Sequence, residues 1–232
     1  MRKLKINYFF EIFHPQSYVG YQLLKKSTSI LSNCFNTTAE FFPISWIHFA
    51  LSKELTLFKN LSQNQRNLLN NELQNVCRSY SLDFNNVNVD REFDEPLKRN
   101  HLYYLMMIKK EYPELYPSFI EVFFKKTWES GRQMDKGYLF FKESLNLGVP
   151  FKVVDDLVSK TENEKNKVEY ILNFNKLCNL KCHNFPVTNF QFPDDPGKEI
   201  TIDSMMKLVL LHDRIEKDPL NLEKIIEEYC KC

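Results

Sequence analysis

Residues 8–26, YFFEIFHPQSYVGYQLLKK, carry the clearest structural signal in the chain. The segment Lys3–Phe13 is rich in Ile, Tyr and Phe and is followed by a proline, which predicts a strand over these residues. His14-Pro15-Gln16-Ser17 follows, and the apolar spacing after it predicts a helix from Ser17 to Ser29. Proline is tolerated in the first turn of a helix because its missing N–H needs no partner there. The stretch therefore indicates a buried strand that turns directly into a helix.

The middle of the chain is predicted to be helical. A second strand, Phe35–Phe42, ends at Pro43, and the connection between the two strands is long enough for a parallel crossover. Amphipathic patterns then predict six helices, over Leu61–Ser79, Leu97–Lys110, Pro117–Ser130, Met134–Leu147, Pro150–Ser159 and Lys165–Leu177. The stripe of aromatic residues in the third of these helices is interpreted as core.

Strand patterns return near the end. FPVTNFQF (185–192) and KEITI (198–202) flank DDPG (194–197), whose Pro and Gly favour a turn, so this region predicts a β-hairpin. Asp203-Ser204 is expected to cap a helix from Met205 to about Ile215, and a final helix is expected over Asn221–Tyr229.

The predicted order is β-α-β, a helical block, and then β-β-α. Without the block, this is the order of the thioredoxin-like fold. We therefore predict an α/β protein in which a thioredoxin-like domain carries a large all-helical insertion between the second strand and the C-terminal β-hairpin and helix. Residues 1–45 and 180–232 are expected to form the discontinuous thioredoxin-like domain, and residues 46–179 the inserted helical domain.

Composition excludes several classes of protein. The 232 residues include 31 basic and 30 acidic side chains without a basic stripe, so no nucleic-acid partner is expected. No apolar run approaches the roughly 20 residues of a membrane helix, and no secretory signal is visible. The six scattered cysteines are expected to be reduced thiols. The Cys230-Lys231-Cys232 end is either a prenylation site or a frayed helix end.

Residues 8–24 resemble the start of kappa-class glutathione transferases, in which a strand is followed by Ser-Pro-Tyr-Ser and a helix. That family includes the bacterial 2-hydroxychromene-2-carboxylate isomerases and is related to disulfide oxidoreductases of the periplasmic type. EYPELY (111–116), FFKKTW (123–128) and HNFPVT (183–188) look like family blocks in the same order. The resemblance covers residues from about 4 to 215.

The resemblance implies a glutathione site and no metal. Phe185-Pro186 matches the family's cis-proline turn, where the backbone of Phe185 would bind the cysteinyl part of glutathione. Ile202 and Asp203 fall where the family binds the γ-glutamyl group. An alternative interpretation of Asp203 is that it only caps the N-terminus of the following helix. The remaining implied ligand contacts are His14, Pro15 and Gln16.

Position 14 departs from the family. The serine that holds the glutathione sulfur is His14 here, and only the second serine of the motif, Ser17, is retained. Relatives that oxidise dithiols have cysteines at both places, so exchange through an active-site dithiol is excluded. A neutral imidazole can donate an N–H to a thiolate or accept the thiol proton, and the helix N-terminus favours that neutral form. Alternatively, the ring fills the space of the sulfur. His14 and Ser17 are the candidate catalytic residues.

Other ligand assignments stay open. Lys53 or Lys59 is a candidate for the glycine carboxylate of glutathione. Ile202 replaces the usual family serine, and Ser204 stands where an arginine is often found. Cys178-x-x-x-Cys182-His183 fits no common zinc motif, so these cysteines are interpreted as helix residues near the proline turn.

Three hypotheses about function follow. The first is a glutathione-binding transferase or peroxidase-like protein that acts on small hydrophobic electrophiles, with the helical block as a wall for the co-substrate. The second is a degenerate, inactive thioredoxin-fold binding or interaction module, and the third is a glutathione-dependent isomerase. The resemblance further implies a homodimer formed through the helical block and an intracellular location, whether mitochondrial, peroxisomal or cytosolic.

Overall fold

The computed structural model describes residues 1–56, 60–85, 100–132, 137–161, 164–195 and 197–230. Its strands are β1 Lys3–Phe10, β2 Asn36–Pro43, β3 Val187–Gln191 and β4 Glu199–Ile202. Its helices are α1 Pro15–Leu31, α2 Trp46–Ser52, α3 Gln63–Ser79, α4 Asn100–Glu111, α5 Tyr116–Phe124, α6 Gly137–Asn146, α7 Phe151–Ser159, α8 Glu164–Cys178, α9 Met205–Lys217 and α10 Leu222–Cys230.

The strands form one sheet in the order β2-β1-β3-β4. β3 is antiparallel to both of its neighbours, with Thr188 opposite Tyr8 on β1 and opposite Ile202 on β4. β1 is the buried centre of the sheet, and its apolar side chains are almost completely covered. The described elements thus follow the β-α-β, helical block, β-β-α order that the sequence predicts.

The contacts divide the chain into two compact units, which we name the sheet unit and the helical unit. The sheet unit comprises residues 1–10, 16–42 and those from 177 onward, and the helical unit comprises residues 11–15 and 43–176. The predicted domain boundaries, 1–45 with 180–232 and 46–179, concern which parts fold independently and stay a prediction.

Within the sheet unit, α1 lies very close to β1. The hydroxyl of Tyr8 donates a hydrogen bond of 2.8 Å to the backbone oxygen of Ser17. Burial raises the pKa of Tyr8 well above its usual value, so this hydroxyl stays protonated and remains a donor. A Cβ atom at Gly20 would lie 2.5 Å from the Tyr8 hydroxyl oxygen and 3.4 Å from Cγ of Pro186. Only glycine leaves room for both groups.

The core of the helical unit is aromatic. Tyr104, Phe119, Phe123 and Phe140 are buried against one another, with ring centroids 5.2 to 6.4 Å apart. The apolar stripe predicted for the third helix of the block is core, as expected. That helix begins as α5 and continues as a π-helical turn, Lys125–Glu129, which carries the buried Trp128.

Several local features differ from the sequence prediction. β1 ends at Phe10 rather than Phe13, and α2 was not predicted, because seven residues are too few to show a helical period. Ser45 caps α2 by accepting a hydrogen bond from the backbone N–H of His48. Parts of the predictions lie outside the described residues, namely 97–99 and 134–136 of two helices, Pro196 of the turn, Lys59, and the end of the chain from residue 231. No helix in the described part is long and apolar enough to cross a membrane.

We expect Gly20→Ala to lower the free energy of unfolding by about 1–3 kcal/mol, because the new methyl group overpacks the contact with the Tyr8 hydroxyl. Urea unfolding of the single variants Gly20→Ala and Tyr8→Phe and of their double variant measures this. Removing the Tyr8 oxygen should make the alanine less costly, which gives a coupling energy between the two sites. A Gly20→Ala protein more stable than the wild type would contradict the close contact, since alanine favours a helix over glycine.

Candidate functional site

Several of the predicted site residues lie at one end of the sheet. β1 ends at Phe10, β4 ends at Ile202 and β3 begins at Val187. Because β3 is antiparallel to both neighbours, these three points lie at the same end of the sheet. Phe185-Pro186 directly precedes β3, and Asp203 directly follows β4. The topology therefore brings these two predicted blocks together.

The peptide bond between Phe185 and Pro186 is cis. The sequence alone favours a trans bond, and the resemblance alone predicts the cis form. The cis bond is confirmed. The close approach of Pro186 to Gly20 puts the proline ring against α1, about one turn from Ser17. The cis-proline turn and the first turns of α1 are therefore neighbours in the sheet unit.

Asp203 holds the turn that precedes the cis proline. Its Oδ2 accepts hydrogen bonds from the backbone N–H groups of His183 (2.6 Å) and Asn184 (3.2 Å), and its Oδ1 lies 3.7 Å from Nζ of Lys207. The N-cap of α9 is Ser204, without a side-chain cap bond, so the simple N-cap role read from the sequence is wrong for Asp203. The N–H groups of the turn take its carboxylate instead, because a charged acceptor makes strong hydrogen bonds to backbone donors.

The other predicted ligand residues of the sheet unit are largely covered. Phe185 and Ile202 are buried, and Gln16 and Asp203 are half-buried. Ser17 is 0% exposed, so its side chain belongs to the core and not to the surface. His183 and Asn184 are exposed and form the open side of the turn.

His14 belongs to the helical unit, one residue before α1 begins. Its side chain is 1% exposed, and its ring centroid lies 4.9 Å from that of Trp46 on α2. Burial lowers the pKa of His14 to about 3, so the imidazole is neutral at pH 7. The sequence predicts the neutral form from the helix N-terminus, whereas the main cause is loss of hydration. A neutral ring offers one donor and one acceptor.

Three residues of these surroundings were missed by the sequence analysis: Tyr8, Gly20 and Trp46. Gly20 was detectable, because the chain has only five glycines and an isolated glycine inside a helical pattern often marks a close contact. Tyr8 looked like any core aromatic residue, and Trp46 lies on the short helix that the periodicity did not show.

The sequence also raised the questions of the two cysteines near the proline turn, of a metal site and of Lys53. Cys182 is buried, and its Sγ lies 3.8 Å from the backbone oxygen of Leu177, while Cys178 is the last residue of α8. Within the described ranges, no group of three or more histidine, cysteine or acidic side chains is arranged to hold a metal. Lys53 is half-buried at the end of α2, and its assignment to a glycine carboxylate stays a prediction.

No protein-family model matches the chain. No curated protein sequence matches it.

Solved structures are similar to most of the chain. A 2-hydroxychromene-2-carboxylate isomerase aligns with a TM-score of 0.67 at 15% identity, over 92% of this chain and 95% of the other. A probable DsbA oxidoreductase from Streptomyces coelicolor gives a TM-score of 0.67 at 10% identity, over 95% and 89%. The cytosolic disulfide reductase DsbM from Pseudomonas aeruginosa, solved with GSH, gives 0.60 at 9% identity, over 98% and 100%.

Identities this low show the fold alone. The chain has a DsbA-like thioredoxin fold with a helical insertion, which confirms the fold class predicted from the sequence. The narrower resemblance to the kappa class stays a prediction.

The buried His14 predicts a pH dependence of stability. Its pKa is about 3 in the folded state and about 6.5 when unfolded. As the pH falls below about 6.5, the unfolded state therefore binds the proton first, and the free energy of unfolding decreases. We expect His14→Asn to remove about 2 kcal/mol of the loss that the wild type shows between pH 7.5 and pH 5.

Urea unfolding at the two pH values measures this effect. His183→Asn, at an exposed histidine, is the matched control and should leave the loss unchanged. His212, whose pKa burial also lowers, is present in every variant and cancels in the comparison. The same pH dependence in wild type and His14→Asn would show that His14 is hydrated in solution.

The turn before Pro186 predicts a second result. Asp203→Ala removes the acceptor of two backbone N–H groups, so amide hydrogen exchange at His183 and Asn184 should accelerate by about tenfold or more. Asp203→Asn keeps an acceptor oxygen and should show a smaller change. Lys207→Gln, which removes only the 3.7 Å ion pair, should leave both amides protected. Unchanged exchange in Asp203→Ala would contradict the role of this carboxylate.

Proposed function

We propose that this chain binds glutathione at the sheet end formed by Phe185-Pro186, Ile202 and Asp203, and uses the glutathione thiol as a nucleophile toward small hydrophobic electrophiles. The observation that carries the proposal is the cis-proline turn, which Asp203 holds and which lies against α1. The backbone before such a proline suits an extended peptide, because the cysteinyl part of glutathione can pair with it as an added strand does.

The first turn of α1 favours the anionic sulfur. Backbone N–H groups at a helix N-terminus attract a thiolate and lower the pKa of a bound thiol. Pro15 starts this helix, and Gln16 and Ser17 follow in its first turn. In the proposal, Gln16 and the backbone of this turn contact the ligand, and the Ser17 hydroxyl is a second donor for the sulfur.

His14 is proposed to act on the thiol directly. Its neutral imidazole would donate its N–H to the thiolate, and the thiol proton would be released to water, because a ring with a pKa of about 3 is a weak proton acceptor at pH 7. The thiolate then forms a C–S bond with the electrophilic carbon, and the leaving group departs with the electron pair of its own bond. No protein thiol is needed, since neither residue 14 nor residue 17 is a cysteine.

The γ-glutamyl end of glutathione carries an ammonium and a carboxylate, and the surroundings of Asp203 offer complementary charges. The ammonium would pair with Asp203, and the carboxylate would lie near Lys207 and the start of α9. The GSH in the DsbM structure, a structural neighbour, supports a ligand of this kind for the fold. We propose in addition a homodimer and an intracellular location.

The second candidate function is a binding or interaction module without catalysis. The observation that favours it is burial, because the side chains of His14 and Ser17 are 1% and 0% exposed. A side chain that stabilises the thiolate must come within hydrogen-bond reach of the sulfur. A third candidate, a glutathione-dependent isomerase, is supported by the structural similarity to 2-hydroxychromene-2-carboxylate isomerase.

Glutathione should protect the protein against heat. At a concentration of 100 times the dissociation constant, a ligand specific for the folded state adds about 2.7 kcal/mol to the free energy of unfolding. Thermal unfolding with glutathione, S-methylglutathione and cysteinylglycine separates the roles of the thiol and the γ-glutamyl group. The absence of protection by glutathione at millimolar concentration would overturn the proposed binding.

Conjugation of 1-chloro-2,4-dinitrobenzene then separates the first two functions. Loss of conjugation activity in His14→Ala identifies the imidazole as a catalytic group. Higher activity in His14→Ser shows that histidine at this position lowers the rate. If glutathione protects the wild type, His14→Ala and His14→Ser against heat but none of them conjugates the substrate, the result supports the binding module.

A further inference from the structure

The connection between β1 and α1 is anchored by a buried hydrogen bond between Glu11 and His101. Glu11 and His101, on the first turn of α4, are 7% and 5% exposed, and Oε1 of Glu11 lies 2.5 Å from Nε2 of His101. A buried carboxylate is costly unless it is hydrogen-bonded, so this partner matters for the whole connection. The ring of His101 also packs edge-on against Phe13, with centroids 4.5 Å apart. One histidine thus contacts two residues of the connection.

Ile12, which lies between Glu11 and Phe13, is held by a separate hydrogen bond. Nε1 of Trp128 donates a 2.8 Å hydrogen bond to the backbone oxygen of Ile12. Trp128 lies in the π-helical turn Lys125–Glu129, where the wider winding changes the direction of the side chains that follow α5. Short π-helical segments are frequent at functional sites. This turn therefore presents an indole N–H to a backbone oxygen that belongs to no strand.

His14 depends on this connection. Its backbone N–H donates a 3.1 Å hydrogen bond to the oxygen of Glu11, which closes a turn, and its ring lies against Trp46. A shift of Glu11 therefore moves the backbone of His14 directly. Since residues 11–14 are not part of a strand, side chains from α4 and the π-helical turn supply the fixed points that a sheet would otherwise give.

We propose that His101 and Trp128 are positioning residues, which fix the imidazole of His14 by holding the backbone of residues 11–13. Neither residue needs to touch a ligand, and they act through Glu11 and Ile12. The effect on ligand binding rests on the function proposed above, whereas the placement of His14 does not. The competing explanation is that both residues only fill the core.

Chemical labelling of histidines tests the placement. Diethyl pyrocarbonate acylates accessible imidazole nitrogens, and mass spectrometry of peptides gives the rate at each histidine. The exposed His183 is the internal reference, and His212, which is 0% exposed in the sheet unit, reports global unfolding. The variants are His101→Phe, which keeps a ring against Phe13 but removes the donor to Glu11, and His101→Gln, whose amide can still donate.

We expect the rate at His14, relative to His183, to rise about tenfold in His101→Phe and to change by less than about twofold in His101→Gln, because only the first removes the hydrogen-bond donor that residue 101 offers to Glu11. Trp128→Phe, which removes the donor to Ile12 and keeps a ring beside Phe84, should raise the rate in the same way. Trp128→Phe therefore still tests the placement of His14 if the His101→Phe protein does not fold. The rate at His212 should not change in any variant.

Unchanged labelling of His14 in His101→Phe and Trp128→Phe would overturn the proposal. A rise at His14 that is matched at His212 would also overturn it, since that is the signature of a residue that only stabilises the core. Glutathione affinity is measured on the same proteins and should fall in His101→Phe but not in His101→Gln. A wild type that binds no glutathione refutes the proposed function, while the labelling rates still decide the placement of His14.

Discussion

The sheet unit depends on the missing side chain at Gly20. The hydroxyl of Tyr8 reaches the first turn of α1 only because no Cβ atom stands in its path, and the ring of Pro186 uses the same gap. A larger residue would push the helix away from the sheet or force the tyrosine out of its bond. The close approach of α1 to both β1 and the cis-proline turn therefore requires a residue without a Cβ atom at position 20.

The carboxylate of Asp203 supports the backbone of the site proposed to bind glutathione. In this chain the carboxylate already accepts two backbone hydrogen bonds from the turn that ends in Phe185-Pro186. Its charge is thus partly compensated before any ligand arrives, and a ligand ammonium would join an existing network. The burial of His14 keeps its ring neutral at pH 7, so the ring can offer an N–H to a sulfur anion without supplying a fixed positive charge.

Much of this fold could be predicted from the sequence, because the order of strands and helices along the chain follows from local patterns of apolar residues. The helix that starts at Pro15 and the hairpin near Pro186 follow from such patterns. The partners of Asp203 could not be predicted, since they join residues 19 and 20 positions away across a turn without a motif. The burial of His14 could not be predicted either, because Trp46, which packs against its ring, lies about thirty residues further along the chain on a helix too short to show a period.

The anchoring of residues 11–14 has an optical consequence. The chain contains two tryptophans, and both contact this short connection, Trp128 at Ile12 and Trp46 at His14. The intrinsic ultraviolet emission of the protein therefore comes from indole rings that border the same few residues. A change in the wavelength or intensity of this fluorescence therefore reports a rearrangement near residues 11–14, without a dye or a substitution.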